Sequence, residues 1–468
     1  MRYIDYTDRH WRARLGASAL AVALMAGVSG CDSFLQVSNP NNISGEDTET
    51  AQAALGLVNG TEALVSGGFS ENMNNMATIT DELEWVGSRD SYREHDEGFH
   101  TSPFNEFTDG FFSTMAQARW LSEETIRILT ELGSEVSDAD ALMGRANLYK
   151  AMVFGYIADF YDTYPIDSDR TEGATPVGES AMGAVYDEGI MAAQTAVSLA
   201  QTAGDTDTET EALGVLARLQ HARAVWDVVG DRGNLGYTQG DPSSGLANAT
   251  AAAATAVTAL SAMGGLGADY VYQHIYSNQT VGNSVANWVN SRQEMRFAST
   301  YTSPDPAGKP TFDQVILTDP IDAATVSPEL VVLVNEFISD VNNAPMRVTS
   351  AREMQLIIAE SELFTNGDAA GFRTAINALR TMDGLSDYTG QDIDLSGAND
   401  LEDAVALLAH SRQTNLFMYG RRLADMYRFS VLSPEWKANS TAITQPGSFL
   451  PLPAVECQTN QAVGGCGN

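Results

Sequence analysis

The chain has little positive charge and almost no cysteine. Its 468 residues carry 26 Lys plus Arg against 61 Asp plus Glu, a formal net charge of −35. Only Lys150, Lys309 and Lys437 are lysines, so lysine-based catalysis has few candidates. A nucleic-acid binder needs a cationic face to release phosphate counterions, and this composition excludes one. Anionic membrane surfaces are disfavoured on the same ground. Three cysteines, Cys31, Cys457 and Cys466, cannot staple a chain this long. No Gly-x-Ser-x-Gly elbow is present, and Gly178-Glu-Ser-Ala-Met-Gly183 has the wrong spacing. Gly264-Gly-Leu-Gly267 does not continue to the third glycine of a dinucleotide fingerprint. Sixty-one carboxylates make chance pairs inevitable, and none stands out as a glycosidase pair. What is plentiful is apolar material, 44% of the residues. Length alone suggests up to three domains, and one large helical domain fits equally.

Long apolar runs are also missing, with one short exception. Arg2, Arg9, Arg12 and Arg14 precede an uncharged stretch, Leu15 to Gly30. As a helix it would rise roughly 24 Å, short of the roughly 30 Å hydrocarbon core. A cationic start, a short apolar run and small residues at its end describe a secretory signal peptide over 1–30. Val28-Ser29-Gly30-Cys31 resembles a bacterial lipobox, in which the cysteine sulfur takes a diacylglycerol. Ser38-Asn-Pro-Asn-Asn-Ile-Ser-Gly45 follows as a polar tether of turn formers within 31–48. Processing at Cys31 would leave a chain two charge units more negative, anchored by acyl chains alone.

Helical periodicity dominates the remainder, read as one mostly α domain over 49–468. Amphipathic helices are expected over 50–65, 107–132, 138–161, 181–203, 209–229, 246–263, 352–364, 369–382 and 401–429. Caps support several of them, among them Gly367-Asp368 and Asn399-Asp400. Strand-like alternation is confined to Val331–Val334 and Thr311–Leu317. Glu211–Trp226 with Ala251–Ala262, and Arg352–Leu363 with Ala369–Arg380, look like tetratricopeptide-type hairpins in a degenerate array.

Two long segments read as irregular and aromatic, 80–105 and 268–310. Loops this long in a compact protein are functional or disordered, and aromatic content argues against disorder. The expectation is that they meet. Trp85, Tyr92, Tyr272, Tyr276 and Trp288 would form an aromatic platform edged by Arg89, Asp90 and Asn283. His95 and His100 are five residues apart, which puts their imidazoles on different helix faces, so no metal site is assigned. Asp392-Ile-Asp394-Leu-Ser396-Gly397 with Asp403 nearly matches a calcium loop, but 399–402 reads better as a helix cap. No cofactor is therefore expected. Cys457 and Cys466 are expected to pair in an exported setting. Arg421, Asp425 and Arg428 share a helix face and are expected to pair within it as a structural group.

Four places together resemble the SusD/RagB family of outer-membrane nutrient-binding lipoproteins. Cys31-Asp-Ser-Phe34-Leu35 with Pro40 is similar to the family's lipidated start. Leu356-Ile-Ile-Ala359-Glu360-Ser361, with Gly367, Ala375, Asn377 and Arg380, resembles its helical hairpin. His410 to Arg428 resembles its Arg-rich last long helix, and Leu450-Pro451-Leu452-Pro453 its closing element. Ser411, Asn415 and Tyr419 stand where the family often carries glutamate, which would alter the ion-pair network there. The resemblance implies a SusD-like helical fold with tetratricopeptide-type hairpins and a surface position on the outer membrane. It also implies an oligosaccharide or peptide ligand and a SusC-like TonB-dependent transporter as partner. It implies no enzymatic activity. The competing readings are a helical-repeat scaffold for protein partners and an exported hydrolase; a glycan or peptide pull-down and turnover of a fragment library separate the three.

Overall fold

The computed structural model describes residues 49–167, 173–230, 246, 249–304, 312–391, 393 and 403–463. The lipobox at Cys31, the tether, most of the calcium-like loop and Cys466 lie outside them; Cys457 is disulfide-bonded. The described residues from Ala54 onward form one unit by their contacts.

The chain is mostly α. Its long helices follow the apolar periodicity: α1 Ala54–Ile79, then, after β1 Leu83–Trp85 and the short α2 Asp90–Asp96, α3 Glu106–Leu132, α4 Ala139–Phe160, α5 Gly183–Ala203, α6 Thr206–Val229 and α7 Thr250–Ala262. Each long helix packs on the next, and α1 on α3. Only Gly204 and Asp205 join α5 to α6. Gly204 takes φ 68°, a left-handed value that a glycine adopts without strain, and the Asp205 side chain caps the Thr208 N–H. Further along, α9 (Ala351–Glu360) packs on α7 and on α10 (Ala369–Met382), and α8 (Pro328–Ile338) precedes both. Ala217, Ala252, Ala256, Ala259 and Ala351 share a core with Met354 and Ile357. Small side chains at these crossings let the α6, α7 and α9 backbones approach closely. The two hairpins expected from the sequence are this α6–α7 and α9–α10 packing.

The structure departs from the sequence reading in several places, beginning with α1, which runs on to Ile79 past the helix expected over 50–65. Val331–Val334 is not a strand but part of α8. Pro328 begins that helix, and Leu330, Leu333, Val334 and Phe337 form its buried stripe. The expected helix over 401–429 is two helices, α11 Asp403–Asn415 and α12 Arg422–Arg428. Between them Met418 and Gly420 take φ 63° and 77°, and a Cβ on Gly420 would stand 3.0 Å from Phe160 Cε1. A continuous helix cannot hold either backbone value.

The two segments read as irregular contain strands, and the first of them also holds α2. β1 pairs antiparallel with β3 (Met295–Phe297), with Leu83 opposite Phe297 and Trp85 opposite Met295. β2 (Val271–His274) pairs with β6 (Met346–Ser350), and β4 (Thr302–Pro304) with β5 (Phe312–Val315). The last pair realises the strand expected over 311–317. The β1–β3 ladder brings residues 80–105 and 268–310 together.

Candidate functional site

Beside the β1–β3 ladder the chain builds an aromatic belt. Tyr92, on α2, stacks on Phe107, at the start of α3, with centroids 3.7 Å apart and planes 14° from parallel. Trp288 stands nearly perpendicular to both, 5.0 Å from Tyr92 and 5.6 Å from Phe107. Phe111, one helical turn on, continues the row 5.8 Å from Phe107. Offset and edge contacts of this kind suit the ring quadrupole and add roughly 0.5–1.5 kcal/mol per pair beyond burial.

The belt is held from both segments. Trp288 lies in a π-helical turn, Asn287–Ser291, entered through a short helical turn whose cap is Asn283. Asn283 Oδ1 accepts the Ala286 N–H at 3.0 Å and its amide donates to the Ala344 carbonyl at 2.7 Å. The Arg292 guanidinium carbon lies 3.9 Å from the Trp288 centroid, and Arg292 donates to Glu294 at 2.8 Å. The second Glu294 oxygen accepts from the Ser88 N–H and Oγ, both at 3.2 Å. Burial pushes the Glu294 carboxyl up, but these bonds outweigh it and hold it below its ordinary value. Gly87 is required here: a Cβ would sit 2.4 Å from Glu294 Cβ.

The expected single open platform is corrected. Tyr92 is fully buried, and Trp288 is only 8% exposed. Burial raises the Tyr92 phenol well above its ordinary value. Tyr276 is buried away from the belt, donating to the Ser66 carbonyl at 3.0 Å. Tyr272 lies on β2, where its hydroxyl contacts Met152 Sδ at 3.5 Å. Asn283 is a buried cap rather than an edge. Trp85 is half-buried at the end of β1, and Arg89 and Asp90 are exposed at the start of α2. Arg89 stands 3.8 Å from Glu106, and Asp90 accepts from Arg93 at 3.3 Å. The structure thus groups Trp85, Arg89, Asp90, Tyr92 and Trp288 and sets Tyr272 and Tyr276 apart. Sequence reasoning missed Phe107, Phe111, Arg292 and Glu294. The Phe107–Phe111 spacing of four was the available signal for one face of a helix; nothing marked Arg292.

The Arg-rich C-terminal segment builds a buried network instead of a surface. Glu360 accepts from His221 at 2.9 Å, from Arg412 at 3.4 Å and from Arg428. Asp425 accepts from Arg412 at 2.9 Å and from Arg428 at 2.8 Å. Burial would raise Glu360, but Arg428, His221 and Arg412 outweigh it and hold the carboxyl well below its usual range. Burial drives His221 down to about 4, so it is neutral and donates through Nε2. The expected Asp425–Arg428 pair is present. Arg421, however, pairs with Asp159 of α4 rather than with Asp425. Asn415, at one of the positions where glutamate was expected, accepts from Arg352 at 3.1 Å, and the Tyr419 hydroxyl stands 3.1 Å from Ser350 Oγ.

His95 and His100 are both buried, near Thr108 and the Ser448 carbonyl respectively, and serve packing. Among the described residues no group of three His, Cys, Asp or Glu side chains is placed to hold a metal ion. No helix of the described residues is long and apolar enough to cross a membrane.

No family model matches the chain, and no curated protein does. Solved structures do. A SusD superfamily protein from Parabacteroides distasonis aligns at a TM-score of 0.57 and 14% identity, covering 88% of this chain and 98% of its own. One from Bacteroides fragilis aligns at 0.59 and 13%, covering 90% and 100%. A laminarin-binding SusD-like protein aligns at 0.53 and 14%, covering 88% and 97%. The chain has the SusD-like fold, as the resemblance in its sequence implied.

Proposed function

We propose that this SusD-like chain is an exported lipoprotein that binds oligosaccharide at the outer membrane and passes it to a TonB-dependent, SusC-like transporter. The observation that carries the reading is the SusD-like fold along nearly nine-tenths of the chain, with one of its structural neighbours named for binding laminarin. The belt fits that ligand. Pyranose C–H faces stack on aromatic rings while polar neighbours hold hydroxyls; Trp85, Phe107 and Phe111 are half-buried, and the exposed Ser88, Arg89 and Asp90 follow Trp85 closely in the chain. Binding rather than turnover is the activity proposed. Cys31, within its lipobox, supplies the anchor, and the lipid holds the protein at the cell surface.

The test is a glycan and peptide array probed with a soluble chain that begins after Cys31, followed by calorimetry on the best ligand. The expected result is saturable binding of one class of oligosaccharide, weakened by Trp85→Ala. Binding to peptides alone would replace the saccharide reading, and release of shortened glycans would replace binding with hydrolysis.

A further inference from the structure

Trp288 belongs to the aromatic belt, and Arg292 covers its face. The guanidinium carbon is 3.9 Å from the ring centroid, Arg292 is itself exposed, and Trp288 is 8% exposed. From this we infer that Arg292 sets what stacks on Trp288: it closes the indole face, and an uncharged sugar ring gains that face by displacing it. The inference rests on the saccharide reading above and goes further, assigning a selectivity role to one residue.

Three features make Arg292 a removable cover. Its bonds are weak ones. The Arg292 end of the cation–π contact and of the ion pair is exposed, which keeps each contact weak, so giving up both lowers affinity by roughly tenfold. The anchor is fixed while the arm is free. Glu294 is pressed over Gly87 and held by two bonds from Ser88, whereas Arg292 meets it through a single 2.8 Å bond. The backbone on both sides is irregular. A π-helical turn ends at Ser291, and Gln293 takes φ 55°, a left-handed value that costs a non-glycine residue energy. The Arg292 peptide N–H stays bonded to the Asn287 carbonyl at 2.8 Å and the Glu294 carbonyl to the Val86 N–H at 3.0 Å, so the side chain can swing away while the backbone and β3 hold.

The test uses the soluble chain, a neutral oligosaccharide fragment of laminarin as probe, and Arg292→Ala beside Arg292→Lys. Arg292→Ala should bind the probe roughly tenfold more tightly, and Arg292→Lys, which keeps charge but loses the planar contact, should fall between. Acrylamide quenching reads the cover without any ligand. Arg292→Ala should expose one further indole, and the gain should vanish in Arg292→Ala/Trp288→Phe. Weaker or unchanged binding in Arg292→Ala overturns the inference while leaving saccharide binding intact. If wild type binds no saccharide on the array, the function proposed above fails and quenching alone decides: unchanged quenching removes the cover as well. Should Arg292→Ala fail to fold, Arg292→Lys carries both measurements.

Discussion

Asp96 Oδ2 accepts the Trp85 peptide N–H at 3.1 Å, tying α2 to the end of β1. Its other oxygen is buried without a hydrogen-bond partner among the described residues. Burial first, then Glu435, Glu84 and Glu97, push this carboxyl up to about 8 against the pull of the Trp85 N–H. Glu82, which accepts the Met418 N–H at 2.6 Å, is raised to about 8, chiefly by burial.

Stability should therefore fall as pH rises from about 6.5 toward 8. The folded chain keeps protons on Asp96 and Glu82 that the unfolded chain releases near their ordinary values of 3.8 and 4.5. Above about 6.5 the unfolded chain's histidines are neutral, as the buried His95, His221, His274 and His410 already are, so the unfolded state binds fewer protons and the unfolding free energy declines with pH. Below it those four histidines act in the opposite sense. Glu360 and Asp425 are shifted down, so their stabilisation is lost only at the acid edge. Denaturant midpoints from pH 6.5 to 9 check this. Asp96→Asn should show a shallower decline than wild type; an identical slope would remove Asp96 from the account.

Trp85 and Trp288 should respond differently to truncation. Trp85 is half-buried on the rim, so Trp85→Ala should weaken saccharide binding about tenfold, some 1.4 kcal/mol, with a small change in melting temperature. Trp288 is buried, so Trp288→Ala should cost about 3–5 kcal/mol of stability. Thermal melts and calorimetry on both variants check the split. Equal destabilisation of the two would place Trp85 in the core.

Glu360 is the residue whose loss the C-terminal network tolerates least. Glu360→Gln leaves Arg412 and Arg428, both buried, short of a countercharge. Breaking a buried pair from one side costs about 3–5 kcal/mol. Urea unfolding of the variant is the measurement, and a loss under about 1 kcal/mol would show the network to be solvated.

Cys31→Ser should abolish lipid attachment and release the protein from the outer-membrane fraction. Unchanged fractionation of the variant would contradict the anchor. Mild detergent extraction of the wild type should bring a barrel transporter with it, and repeated recovery of the chain alone would argue against that partner.

What the sequence determined by itself was local. The 3.6-residue apolar period placed α3 to α7, α9, α10 and the N-terminal half of α1 to within a few residues, because a helix is specified by neighbours three and four apart; the C-terminal half of α1 and the short α2 were not read. The same local logic placed Asp425 beside Arg428, since i,i+3 partners share a face. Tertiary structure decided the rest. Residues 401–429 are apolar and charged at helical spacing throughout, but the Met418–Gly420 turn is set by Phe160 and Glu82, which are remote in the chain. Arg421 took Asp159, 262 residues away, over Asp425 four residues away. The aromatic segments declared that rings were there, not which way they faced. A tyrosine has an apolar body and a polar tip and suits either side of a surface. Only the β1–β3 ladder, pairing two stretches over 200 residues apart, put Tyr92 inside, left Trp85 at the rim, and laid Arg292 across Trp288.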